Sequence, residues 1–151
     1  MSGHDVPFLR AGVGQSPQEG GCIMQVISWI AHNGAWSDTP LCVLPCLRDI
    51  AIEVNDAASD EERQRLLDLA PRLINTQIAD PARRAQVGLA LSERYLSLSN
   101  ELWDDDESIS DSVVGVDGLS ELLDLYDEIT GRPKVTEPLD FSGVCAAMAG
   151  A

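Results

Sequence analysis

The sequence predicts an all-α fold, a compact single-domain bundle of about five helices with no significant β-sheet. Three observations carry that expectation. Apolar residues recur at helical spacing in separate stretches. Cap residues, prolines or glycines bound each stretch. No run shows the alternation of a half-buried strand. The 151 residues are the length of one ordinary domain and can bury a core without staples. Hydrophobic residues make up 44% and aromatics 5%, so aliphatic side chains must fill that core.

Residues 1–20 mix Gly, Pro and polar residues without periodicity and read as a flexible N-terminal arm. The helical domain spans 21–131. From Gly21, CIMQVISWIAHNG places Val26, Ile23, Ile27 and Ile30 on one face. Asn33-Gly34 suits its end, because both tolerate left-handed backbone. WSDTP then offers Ser37, Asp38 and Thr39 as helix caps and Pro40 as a first helical residue. Pro45 breaks any helix running on from there and drives Leu44 to extended backbone. A short turn over 40–44 and a second helix from Pro45 to Asn55 follow, with Leu47, Ile50, Ala51 and Val54 inward. Ser59 and Glu62 form a capping-box pattern. They open a third helix carrying Leu66, Leu69, Ala70 and Leu73, which Pro71 should kink or split. Asp80-Pro81 starts a fourth helix reaching about Trp103, with Val87, Leu91, Tyr95, Leu98 and Leu102 in step. Residues 104–118 read as an acidic loop. Asp117 is the expected cap of a fifth helix bearing Leu119, Leu122, Leu123, Tyr126 and Ile129, ended by Gly131 and Pro133. Residues 132–151 read as a loosely ordered tail.

The net charge of −15 argues against direct binding to nucleic acid or to an anionic membrane surface, which require positive potential. No apolar run is long enough to span a bilayer, and the N-terminus lacks the pattern of a signal peptide. The expected compartment is therefore cytoplasmic. Cys22, Cys42, Cys46 and Cys145 are expected there as thiols rather than disulfides.

The blocks GCIMQVISWIAHNGAWSDTPLCVLPCL and NDAASDEERQRLLDLAPRLINT carry a Gly-Cys-x-Met start, a Trp-Ser-Asp-x-Pro-x-Cys corner, an Asn-Asp pair and a Pro-Arg-Leu element. This combination resembles an uncharacterised actinobacterial and actinophage protein family, over about half of the chain. The resemblance implies no established activity. Where the family often has an acidic residue, this chain has Gln25, and where it often has His or Arg before the corner proline, this chain has Thr39. An acid–base or metal set at those positions would be lost here, which argues against catalysis.

The candidate chemistry concentrates at the corner. Cys22, His32, Cys42 and Cys46 are soft ligand types, but their spacing lacks a zinc knuckle, and small core cysteines explain them better. No metal and no cofactor are expected. Cys46, in the first turn of a helix, would have a favoured thiolate, with His32 the one nearby base in sequence. At least one of Ser37, Asp38 and Thr39 should cap a helix. Asp38, Asn55, Asp56 and Arg72 could form a polar clamp, Arg72 reaching the Asn55-Asp56 helix end or Asp38. With Trp36, Ser37 and Cys42 they make the candidate ligand corner.

Residues 101–128 hold eleven Asp or Glu and no Lys or Arg. The plain reading is a solvated acidic face. The sharper one is a docking surface for a basic protein partner, centred on Asp104, Asp105, Asp106, Glu107 and Asp111. The leading functional expectation is thus a non-enzymatic acidic interaction or regulatory protein. A small-molecule-binding protein or enzyme with its site at Trp36–Cys46 is the second. An oligomeric structural subunit is the third, favoured by exposure of Trp29 or Trp36.

Overall fold

The structure, a computed structural model, describes residues 8–105 and 114–133, and of residues 101–105 only the backbone. Its elements are α1 (Ile23–Ala31), α2 (Pro45–Ala57), α3 (Asp60–Gln64), a 3-10 turn (Arg65–Leu69), α4 (Ala70–Leu73), α5 (Pro81–Asp105) and α6 (Gly115–Thr130). The all-α class is as the sequence predicts. Among the described residues the β structure is a single parallel bridge between Leu9 and Gly21.

Each helix boundary has a local cause. Asn33 and Gly34 take positive φ, 54° and 87°, and end the first helical unit. Pro45 opens α2 at its first turn, where its missing N–H costs nothing. Ser59 accepts from the Glu62 amide at 3.2 Å and caps α3. Pro71 splits the third unit, which runs α3, 3-10 turn, α4 instead of one helix. The Asp80 carboxylate accepts from Ala82 N at 3.3 Å at the head of α5. At about 1.5 Å per residue, α5 is about 37 Å long. Gly131, at φ 74°, closes α6.

Helix α1 departs from the amphipathic reading. Every residue from Ile23 to Ile30 is buried, including Gln25, Ser28 and Trp29. It is the central helix of the fold, as all-round burial requires. Helix α2 packs on it, and α5 and α6 pack against α2 and along each other. The predicted stripes of α2 and of the third unit are buried without exception. On α6, Leu119, Leu122, Leu123 and Tyr126 are buried, with Ile129 packed at the edge. That helix starts at Gly115, with Val114 as N-cap. Asp117 therefore lies inside the first turn and is not the cap expected of it.

The N-terminal arm is also revised over its described part. Residues 8–20 do not hang free. Leu9 is 2% exposed and inserts into the core. Arg10 N donates to Gly21 O at 2.9 Å and Gly21 N to Phe8 O at 3.1 Å. This strap covers the head of α1.

Short helices leave many backbone groups without helical partners. Buried side chains supply them. Arg63 donates to Asn55 O and Ala58 O, both at 2.5 Å, and to Asp60 at 2.6 Å, closing the end of α2. Thr76, fully buried, accepts from Leu44 N at 2.9 Å and donates to Leu73 O at 2.8 Å. Its own backbone bonds Cys42 O at 2.9 Å and accepts from the Tyr126 hydroxyl at 2.8 Å. Thr76 thereby joins the corner, the end of α4 and α6. Thr76→Val preserves volume but strands the Leu44 amide and the Leu73 carbonyl. Urea unfolding should show a loss of about 1–3 kcal/mol; an unchanged midpoint would contradict that role.

Candidate functional site

The candidate corner residues fall into three separate bonding sets. The first faces the strap. Gln25, 5% exposed, reads Gly14 at both backbone positions: Gly14 N donates to its Oε1 at 2.8 Å, and its Nε2 donates to Gly14 O at 2.8 Å. The Trp36 indole N–H also donates to Gly14 O, at 2.9 Å. Gln25 Oε1 accepts from Cys22 N at 3.2 Å as well, capping α1. Three glycines make room for this arrangement. A Cβ on Gly14 would stand 1.7 Å from Gly20 O, and one on Gly21 would meet Gln25 and Trp36 at 2.3 and 2.6 Å. Asn55 and Asp56 belong to the same set. Asn55 Oδ1 accepts from Ile23 N at 3.1 Å and its Nδ2 donates to Arg10 O at 2.7 Å. Asp56 accepts from Gly12 N at 2.8 Å.

The second set holds the turn before α2. Cys42 O accepts from Thr76 N and Gln77 N. Ser37 accepts from Thr39 N at 3.1 Å and pairs with the Thr39 hydroxyl. This bond closes a turn within the loop. The helix cap expected of Ser37, Asp38 or Thr39 does not form, because α2 begins only at Pro45 with Leu44 as N-cap. Asp38 is exposed and makes no hydrogen bond among the described residues.

The third set corrects the expected clamp. Arg72 does bridge segments, but its partners lie on α6. Its guanidinium donates to Ser120 Oγ at 3.2 Å, Asp124 at 2.7 Å and Asp127 at 3.4 Å. Asp127, 8% exposed, also accepts from Arg132 Nε at 2.7 Å. Arg132 donates to Arg72 O at 2.8 Å and lies 4.8 Å over the Tyr126 ring. Two cations and two carboxylates thus balance in a largely shielded cluster. Arg72 does not reach Asn55-Asp56 because Arg63, only eight residues after Asn55 in sequence, occupies that helix end.

Much of the acidic tract is consumed in the same way. Asp117 pairs with Arg65 at 2.7 Å, Glu121 with Arg94, and Asp124 and Asp127 with Arg72 and Arg132. The acids of α6 are therefore its fastening to the arginine-rich third unit and α5. Of the expected docking residues, Asp104 and Asp105 end α5. Their side chains, with Asp106, Glu107 and Asp111, lie outside the described residues.

Burial raises the pKa of Cys22, Cys42 and Cys46. For Cys46 this overturns the expected thiolate. The burial penalty, with the nearby Asp49 charge, outweighs the hydrogen bond with Ser92; the sulfur sits by Ser92 Oγ at 3.6 Å and Gly88 O at 3.8 Å. All three are free cysteines. His32 caps the exposed end of α1. Among the described residues no three His, Cys, Asp or Glu side chains gather as a metal site. Burial, then the bond to Glu53 at 2.6 Å, pushes the Tyr95 phenol up to about 12.

Sequence reasoning passed over Arg63, Thr76 and Asp127, and named Gln25 only as a departure from the family pattern, not as a holder of the strap. A signal existed for Gln25, which is the third residue of α1 and so stands at the capping-box position. Clustered Gly14, Gly20 and Gly21 signalled close backbone approach. Comparison with protein-family models, curated proteins and solved structures found no match to this chain.

Gln25→Glu keeps the acceptor of Gly14 N but removes the donor to Gly14 O and buries a charge. A loss of about 2–4 kcal/mol is expected in urea unfolding, recovered in part at low pH where the carboxyl is neutral. The thiols give a pH test. Their folded pKa values lie above 9.0, so the folded state holds those protons more tightly than the unfolded chain. Their contribution is complete below that pH and fades as pH rises through the folded values. Iodoacetamide at about pH 8 should label them at least about tenfold more slowly in the native chain than in urea. Equal rates would show an activated thiol.

Proposed function

We propose that this protein is a non-enzymatic acidic interaction protein that docks a basic protein partner through residues 101–111, with Asp104, Asp105, Asp106, Glu107 and Asp111 as contacts. The observation that carries the reading is the distribution of its arginines. Every arginine but Arg10 donates from its side chain to a carboxylate or carbonyl within the described fold. Cation charge is thus tied down, while residues 101–111 carry six acids and no basic residue. Four of the five acids of α6, Asp117, Glu121, Asp124 and Asp127, pair with arginines of the fold, which favours the segment before that helix as the docking surface. A potential of one sign steers an opposite partner and weakens with salt.

Other observations count against chemistry at the corner. Its polar groups are spent on backbone, and its thiols are held protonated. Trp29 is 3% exposed and Trp36 is partly buried against the core, which counts against the exposed tryptophans that would favour a structural subunit. The described helices include none long and apolar enough to cross a membrane. Free Cys22, Cys42 and Cys46 support a reducing, cytoplasmic setting. The Gly-Cys-x-Met, Trp-Ser-Asp-x-Pro-x-Cys and Pro-Arg-Leu elements support the proposed kinship with the actinobacterial and actinophage family.

The test compares the chain with Asp104→Asn/Asp105→Asn/Asp106→Asn in titrations of an arginine-rich peptide. A control neutralises Glu61, Asp68 and Glu93, which are exposed elsewhere. Affinity should fall at least about tenfold in the first variant and stay within about twofold in the control. It should also drop steeply between about 0.05 and 0.5 M salt. Equal losses in both variants would place binding in general surface charge and defeat the docking segment.

A further inference from the structure

The strap is held mainly through its main chain. From Leu9 to Gly14 its main chain is gripped by side chains of other segments. Gln64 donates to Leu9 O at 2.9 Å and accepts from Leu9 N at 3.4 Å. Asn55 takes Arg10 O, Asp56 takes Gly12 N, and Gln25 takes both groups of Gly14. Amides and a carboxylate thus read the main chain of a segment that bends at Ala11 and Gly12, as backbone rather than side chains is read in peptide recognition. Side-chain selection is confined to three positions. Leu9 fills a core site at 2% exposure, Gly12 holds φ 74°, and Gly14 abuts Gly20. The occupant must therefore read Leu-x-x-Gly-x-Gly, a pattern that this chain carries at residues 9–14.

We propose that this groove is an exchangeable peptide site, and that residues 9–14 of a second copy of this chain fill it to give a strand-exchanged dimer. A second copy satisfies every contact, since each is to backbone or to a position the chain itself encodes. The link QSPQEG, residues 15–20, is the hinge. It is now folded by Glu19 N to Ser16 O at 3.1 Å and Gly20 N to Pro17 O at 3.3 Å. Opened, its six residues reach about 20 Å. Exchange of an identical element is a low-cost route to dimers.

Complementation between two full-length variants tests this. Leu9→Asp spoils the strap and leaves the groove. Asp56→Ala/Gln64→Ala spoils the groove, at exposed positions, and leaves the strap. Each alone should be monomeric by light scattering, and the mixture should form a 1:1 complex. Should Leu9→Asp be unfolded alone, the partner's strap should restore its helical circular dichroism on mixing. In the unaltered chain, the amides of Gly12 and Gly14 should exchange hydrogen together, at least about tenfold faster than Ile27 in the central helix. Separate species after mixing, failure to restore a Leu9→Asp chain, or strap amides exchanging at the global rate would each overturn the proposal.

Discussion

Asn55 is the residue on which the rest of the arrangement depends. It is fully buried and sits near the end of α2. Its side-chain oxygen supplies an acceptor to the head of α1, its side-chain nitrogen holds the strap, and its carbonyl receives Arg63 from α3. An asparagine offers donor and acceptor on one short arm, so one side chain serves two backbone groups of opposite kind. Aspartate would lack the donor, and an apolar residue would leave the head of α1 and the strap with unpaired backbone groups, while the carbonyl that receives Arg63 would remain. The head of the central helix is thereby placed against the end of its neighbour.

The same logic recurs around the fold. Broken by Pro45 and Pro71, the chain has short helices and a surplus of exposed ends. Gln25, Arg63 and Thr76 meet those ends from inside. They are few, and each serves two or more segments, so local helix breaks become long-range ties. Helix α6 uses charge instead. Its acids meet arginines from three different segments, which fixes its rotation as well as its position.

These ties bear on function by subtraction. A polar corner suggested by Trp36, Ser37, Asp38 and Cys42 proves to be a backbone-holding device, with Asp38 left outward. Most of the acidity of α6 is an internal fastening. The proposed docking surface then rests on the charge carried by residues 101–111, and the proposed exchange on the strap, which is held by contacts that do not depend on most of its side chains.

The sequence by itself determined the helices and their inward faces. Period and punctuation are local properties, and Leu47, Ile50, Val54, Leu66, Leu73 and Leu122 are buried as their spacing requires. It also marked Asn55 and Arg72 as members of polar ties. Only the tertiary structure decided which tie each would join. Arg63 and Arg72 are chemically equivalent candidates for the end of α2, and their distance around the broken third unit settles the choice. The docking of residues 8–14 was equally hidden, because irregular backbone has no period to read. Its partners are side chains 11 to 55 residues away, brought to it only when the helices have packed.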